Sequence, residues 1–166
     1  MKNCFLLFVL LMVSVLPAFS QEQLLSPKKT VKGKNVEVSY GQPSKRNRVV
    51  FGELVPYGEV WRAGANEATE ITFEKDATFA GKPVKAGTYT LFVIPKEKEW
   101  DIILNSVLKQ WGAYEYDKIK GKNVLMSTVP VVKNNDVVEK LTYTVKDDAL
   151  VIEWDQTAVS IPVSSK

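Results

Sequence analysis

Apolar and polar positions alternate in short stretches along most of this chain, and the period is two, the signature of half-buried strands. Val36, Val38 and Tyr40 alternate with Glu37 and Ser39. Thr69 to Phe73 and Ala77 to Phe79 predict two further strands, and Thr88 to Ile94 a strong one, with Tyr89, Leu91 and Val93 on one face and Pro95 closing it. Trp100 to Leu104 follows, then Val124 to Val132, where Pro130 calls for an edge or a bulge because it has no N–H to give to a ladder. Near the end, Leu141–Lys146, Leu150–Trp154 and Val159–Val163 alternate with polar partners and predict a three-strand antiparallel meander turning at Asp147-Asp148 and Asp155-Gln156. Further turns are predicted at Gly41–Arg48, Ala80–Pro83, Lys85–Gly87 and Asn134–Asp136. No long stretch has a helical period, although Asn105 to Gly121 has room for a short helix. The expectation is an all-β fold, an antiparallel β-sandwich of about ten short strands with at most one or two short helices.

Two stretches stand outside this pattern. Lys2 is followed by an apolar run from Phe5 to Leu16, a break at Pro17 and the small-residue site Ala18-Phe19-Ser20. This predicts a signal peptide over residues 1–20, and the run falls well short of the roughly 20 residues a membrane span requires. Residues 21–34 read as an irregular, lysine-rich lead-in with room for a short edge strand at Thr30-Val31, and residues 35–166 as a single β-sandwich domain. The expected location is periplasmic or extracellular, with no transmembrane segment once the leader is cut. The other stretch, Glu53 to Thr69, has no clean period and carries Pro56, Gly58 and Gly64; an ordered loop of that length is usually functional.

Composition narrows the chemistry. The 166 residues include no histidine, and the single cysteine, Cys4, lies in the predicted leader. A Ser-His-Asp triad, a thiol nucleophile in the mature chain and a zinc site of His and Cys ligands are therefore excluded. No phosphate-loop or twelve-residue calcium-loop motif occurs, and no cofactor or metal is called for. Loss of residues 1–20 removes Lys2 and leaves 21 basic against 19 acidic side chains. This mild, scattered charge does not predict a nucleic-acid partner.

The candidate site lies in and around the long loop. Its ligand-binding candidates are Tyr40, Arg48, Trp61, Arg62, Asn66, Glu67, Trp111 and Tyr114. Arg62 and Glu67 are close enough in sequence to predict an ion pair across a turn, and a shielded arginine needs an acceptor. Trp111 and Tyr114, in the irregular segment WGAYEY, are the aromatics best placed for the surface, whereas Trp100 and Trp154 fall in strand periods and predict core. Three readings follow. The first is a non-enzymatic binding module for a carbohydrate or another small polar ligand. The second is a glycoside hydrolase-like enzyme using Glu67, with Glu115, Asp117 or Glu153 as its second carboxylate. The third is a structural or assembly protein of the cell envelope whose loop is a folding clamp.

At VPYGEVWRAGANEATEITF, GKPVKAGTYTLFVIP and QWGAY the chain resembles a family of bacterial secreted proteins, domain of unknown function twenty-nine-eleven. Ser26-Pro27, the stretch from Val38 through Tyr40, Pro43 and Ser44 to Arg48, and Phe51-Gly52 match as well. The resemblance implies an exported single-domain β-sandwich; it implies no activity and transfers no catalytic residue. The family often has Gly-Arg where this chain has Asn47-Arg48, and Thr at Ala63. The first difference predicts a tight turn made by Asn47, since asparagine tolerates positive φ better than most residues.

Overall fold

The structure, a computed structural model, describes residues 26–165. The predicted signal peptide lies outside the described residues. Nine strands form one antiparallel sheet: β1 (Lys28–Lys32), β2 (Val36–Gly41), β3 (Glu70–Phe73), β4 (Ala77–Phe79), β5 (Lys82–Val84), β6 (Gly87–Pro95), β7 (Glu99–Asn105), β8 (Asn123–Val145) and β9 (Ala149–Ser165). Their spatial order is β1-β2-β3-β6-β7-β8-β9-β4-β5. A single-turn helix, α1 (Tyr116–Ile119), and a 3-10 turn at Lys120–Lys122 precede β8.

The sheet curls over and packs against itself, which makes the fold sandwich-like. Phe73 of β3 meets Phe79 of β4 edge to face at 5.3 Å, and Tyr40 of β2 meets Tyr143 of β8 at 4.4 Å, although these strands are far apart in the sheet order. The alternating residues read from sequence fill the interior: Val36, Val38, Ile71, Leu91, Ile102, Leu141, Leu150, Ile152, Val159 and Ile161 are all buried. At one side of this core Phe51 and Trp61 each lie about 5–6 Å from the other and from both Trp100 and Trp154, edge to face except for the tilted Phe51–Trp100 pair and the near-parallel Trp61–Trp154 pair. Centre strands β6 and β7 are covered on both faces. Phe92 and Ile103 point away from the main core and form a second cluster with Ala68 and Tyr116, roofed by the loops before β3 and before β8.

Four local expectations are corrected. The lead-in contains a full strand, since β1 pairs with β2 from Lys28↔Gly41 to Lys32↔Glu37. The turn after β4 is only Ala80-Gly81, and Lys82-Pro83 begins β5, an edge strand in which a proline is tolerated. The polar triplet Asn134–Asp136 is not a reversal. It lies inside β8, where the register with β9 shifts between Lys133↔Thr157 and Val138↔Asp155, so β8 bulges outward. Finally, the meander has two strands rather than three. Leu141–Val145 does turn back onto Leu150–Glu153, but β9 runs on through Asp155 and Gln156, so that Val159 pairs with Val131 and Val163 with Phe79. Asp155 bends the strand with φ 53° instead of reversing it. Bulges and turns draw on the same polar residue types, which is why composition alone confuses them. Pro130 is the last residue that β8 pairs with β7; pairing with β9 begins at Val131.

Candidate functional site

The loop from Gly52 to Thr69 is ordered by backbone hydrogen bonds rather than by its charges. Trp61 exchanges two with Val93 of β6, at 2.7 and 2.9 Å, and so acts as a one-residue strand. Farther on, Ala68 N–H donates to Gln110 and Gly112 N–H donates to Asn66, which ties the loop to WGAYEY. Between these anchors the chain reverses through Ala63 (φ 54°) and Asn66 (φ 63°). The strained Ala63 is held from beneath. Its buried carbonyl accepts the Tyr143 hydroxyl at 2.6 Å and the Thr69 hydroxyl at 2.9 Å. Burial pushes the Tyr143 phenol far above its ordinary pKa, and Tyr40 beside it is raised for the same reason, so both stay neutral; Tyr143 donates, while the Tyr40 hydroxyl accepts from the Tyr143 backbone N–H. Gly41 packs directly under the loop, where an added Cβ would stand 2.0 Å from the Ala65 carbonyl oxygen.

Above Trp61 and Trp154 the loop leaves a cavity of about 340 Å³, walled by Ser44, Arg46, Arg48, Arg62 and Asn66 among others. Its charged lining groups are three arginines, with no carboxylate among the described residues. Two acids bonded to the Ser44–Arg48 turn do not line the cavity: Glu139 accepts the Arg46 backbone N–H at 2.9 Å and Asp155 pairs with Lys45 at 2.9 Å. Arg48 is braced by the Lys45 and Ser44 carbonyls, at 2.9 and 2.7 Å. The Arg46-Asn47 turn beside it has φ of 51° and 57°, in line with the tight turn expected at Asn47. Arg62 is half-buried, and its Nε is shielded from water with no hydrogen-bond partner among the described residues. On the far side of Arg62 a second cavity of about 260 Å³ opens between the loop and WGAYEY, lined by Leu54, Glu59, Val60, Ala113 and Tyr114.

The eight candidates therefore separate. Arg48, Trp61, Arg62 and Asn66 line the first cavity, and Tyr114, 76% exposed, reaches the second. Asn66 also donates to the Ser26 carbonyl at 3.2 Å. Tyr40 is buried beneath them in the core. Trp111 is 63% exposed and lines neither cavity. The predicted Arg62–Glu67 ion pair does not form. The reversal at Ala63 and Asn66 turns Glu67 away from Arg62 and into a separate cavity of about 330 Å³ with Lys28, Ser39, Glu70 and Lys109. Glu115, Asp117 and Glu153 do not line that cavity; Glu70 does, and it accepts the Lys109 backbone N–H at 2.9 Å. Arg46, in the predicted Gly41–Arg48 turn, and Trp154, predicted as core, both line the first cavity although neither was among the candidates. The signal for Arg46 was the density of basic and turn-forming residues in Ser44-Lys45-Arg46-Asn47-Arg48; Trp154 carried none.

Fold and site together define an all-β, sandwich-like protein whose polar groups gather on two facing loops above an aromatic floor. The chain belongs to the family described as Protein of unknown function (DUF2911), which matches residues 20–163. No curated protein and no solved structure matches the chain.

Proposed function

We propose that the protein is an exported, non-enzymatic binding module that takes a small polar ligand, a carbohydrate or a molecule of similar size and polarity, in the cavity between Arg48 and Arg62. The observation that carries this reading is the shape and lining of that cavity: a concavity of about 340 Å³ with an aromatic floor, polar walls and one buried donor, the Arg62 Nε, left without a partner. Backbone strain supports it. Of the seven non-glycine residues with positive φ among the described residues, Arg46, Asn47, Ala63 and Asn66 lie in the two loops that border the cavity. Such strain gathers at ligand sites. The open cleft beside Tyr114 argues against a loop that is only a folding clamp. The hydrolase reading is weaker, because none of Glu115, Asp117 and Glu153 lines the cavity of Glu67, and the one other carboxylate there, Glu70, is engaged by the Lys109 backbone N–H.

The test is a thermal-shift screen of glycans and polar metabolites against the wild-type protein and Ser44→Trp, which fills the cavity. At least one compound is expected to raise the melting temperature of the wild type in a saturable way and to leave the variant unmoved. A screen with no such compound, or equal shifts in both proteins, refutes the proposal.

A further inference from the structure

Resting on the reading above, we infer that the ligand carries an anionic group, a carboxylate or a phosphate, which Arg62 clamps together with Arg46 and Arg48, and that the rest of the ligand is a polar ring reaching past Arg62 toward Tyr114. Three guanidiniums face one cavity without a lining carboxylate, and a fold normally brings such a concentration of positive charge together only against an opposite charge. Arg48 is oriented for this by its own Nε and Nη2, which are fixed on the Lys45 and Ser44 carbonyls. Arg62 makes the sharper case. Its Nε is closed off from solvent and its guanidinium enters no hydrogen bond or ion pair among the described residues, which leaves the terminal nitrogens as a donor for which an anion in the cavity supplies acceptors. A neutral ligand would satisfy that donor but leave three positive charges facing one another.

The position of Arg62 sets the second half of the inference. Leu54, Val55, Trp61 and Arg62 line both cavities, so the arginine is the wall between them. The second cavity has a different character: Pro56, Val60, Ala113 and the exposed Tyr114 ring offer flat apolar surface, and Glu59 offers an acceptor for a hydroxyl. An anion alone would use only the arginine side. A sugar acid or sugar phosphate would place its charged group there and its ring against Tyr114, where planar aromatics stack on the faces of rings.

Titration calorimetry with D-glucuronate, glucose 6-phosphate, glucose and inorganic phosphate tests this, because the ring is kept while the charged group changes. Glucuronate or glucose 6-phosphate is expected to bind about tenfold or more tighter than glucose, and the tighter of the two identifies carboxylate or phosphate as the recognised group. Arg62→Met should weaken that binding about tenfold, as should the exposed Arg48→Gln, which guards against misfolding of the first variant. Tyr114→Ala should weaken the sugar anion and leave inorganic phosphate unchanged. Glucose binding as tightly as the sugar anions, or sugar anions indifferent to both arginine variants, overturns the anion assignment. Inorganic phosphate as tight as glucose 6-phosphate overturns the ring. A protein that binds neutral compounds in the broader screen but neither sugar anion loses this inference alone, and the binding-module reading stands.

Discussion

The most informative perturbation is at the Ala63 carbonyl. Two hydroxyls, Tyr143 and Thr69, donate to this one buried oxygen, and the residue carrying it has φ 54°, a conformation that costs a non-glycine residue about 1–2 kcal/mol. Tyr143→Phe and Thr69→Val each remove one donor with little change of shape. A net hydrogen bond contributes about 0.5–1.5 kcal/mol, so each single variant should lose about that much. In the double variant the carbonyl is buried with no donor at all, and an orphaned polar group costs about 1–3 kcal/mol. The double loss should therefore exceed the sum of the singles by about 1 kcal/mol, a coupling of the size seen between residues that share a partner. Urea unfolding of the four proteins measures this, and the melting temperature should move by about 2–4 °C per kcal/mol. Strictly additive losses, with both single variants folded, would show that these hydroxyls do not jointly hold the loop and would falsify the account of how the strained turn is maintained.

Gly41→Ala should destabilise by about 1–3 kcal/mol or more, since its Cβ would meet backbone rather than a flexible side chain; chemical denaturation checks it. Leu150→Ala, in the closed core, should lose about 2–5 kcal/mol by the same assay. At Asp155, Asn keeps the positive φ and breaks only the largely buried ion pair with Lys45, a loss of about 1.5–3 kcal/mol that salt should screen only weakly. Asp155→Ala should cost about 1 kcal/mol more than Asn in the same melts, because alanine also resists the backbone conformation. The protein recovered after export should begin at Gln21 by mass spectrometry; a form retaining Met1 to Phe19 contradicts the signal-peptide reading.

What could be read from the sequence was whatever depends on a local period. Leu150 and Ile152 alternate with polar neighbours and are buried, and Val36, Val38 and Tyr40 line the core as their spacing implies. The sequence misleads where the same residues serve two geometries. Asn134–Asp136 looks like a turn but bulges, and Asp155-Gln156 looks like a turn but bends a strand that continues. Pairing decides between the outcomes, and pairing partners lie far away in the chain. The site shows the same division. Trp61, Arg62 and Asn66 were legible as a concentration of unusual residue types. The fate of Glu67 was not, because four to six residues of separation describe reach along a smooth path, and Ala63 and Asn66 reverse that path. Arg46 joined the site only because tertiary folding brings the Ser44–Arg48 turn over Trp154.

The strand order has a consequence for how the chain comes into being. The hairpin of β4 and β5 lies in the first half of the sequence, yet among the described residues β4 pairs with the rest of the sheet through Val163–Ser165 at the far end of β9. Without Val163–Ser165 in place the hairpin pairs only with itself, and nothing in the sheet holds Phe79 against Phe73. Closing the core therefore depends on a pairing between segments distant in the chain, and such pairings are slow to form.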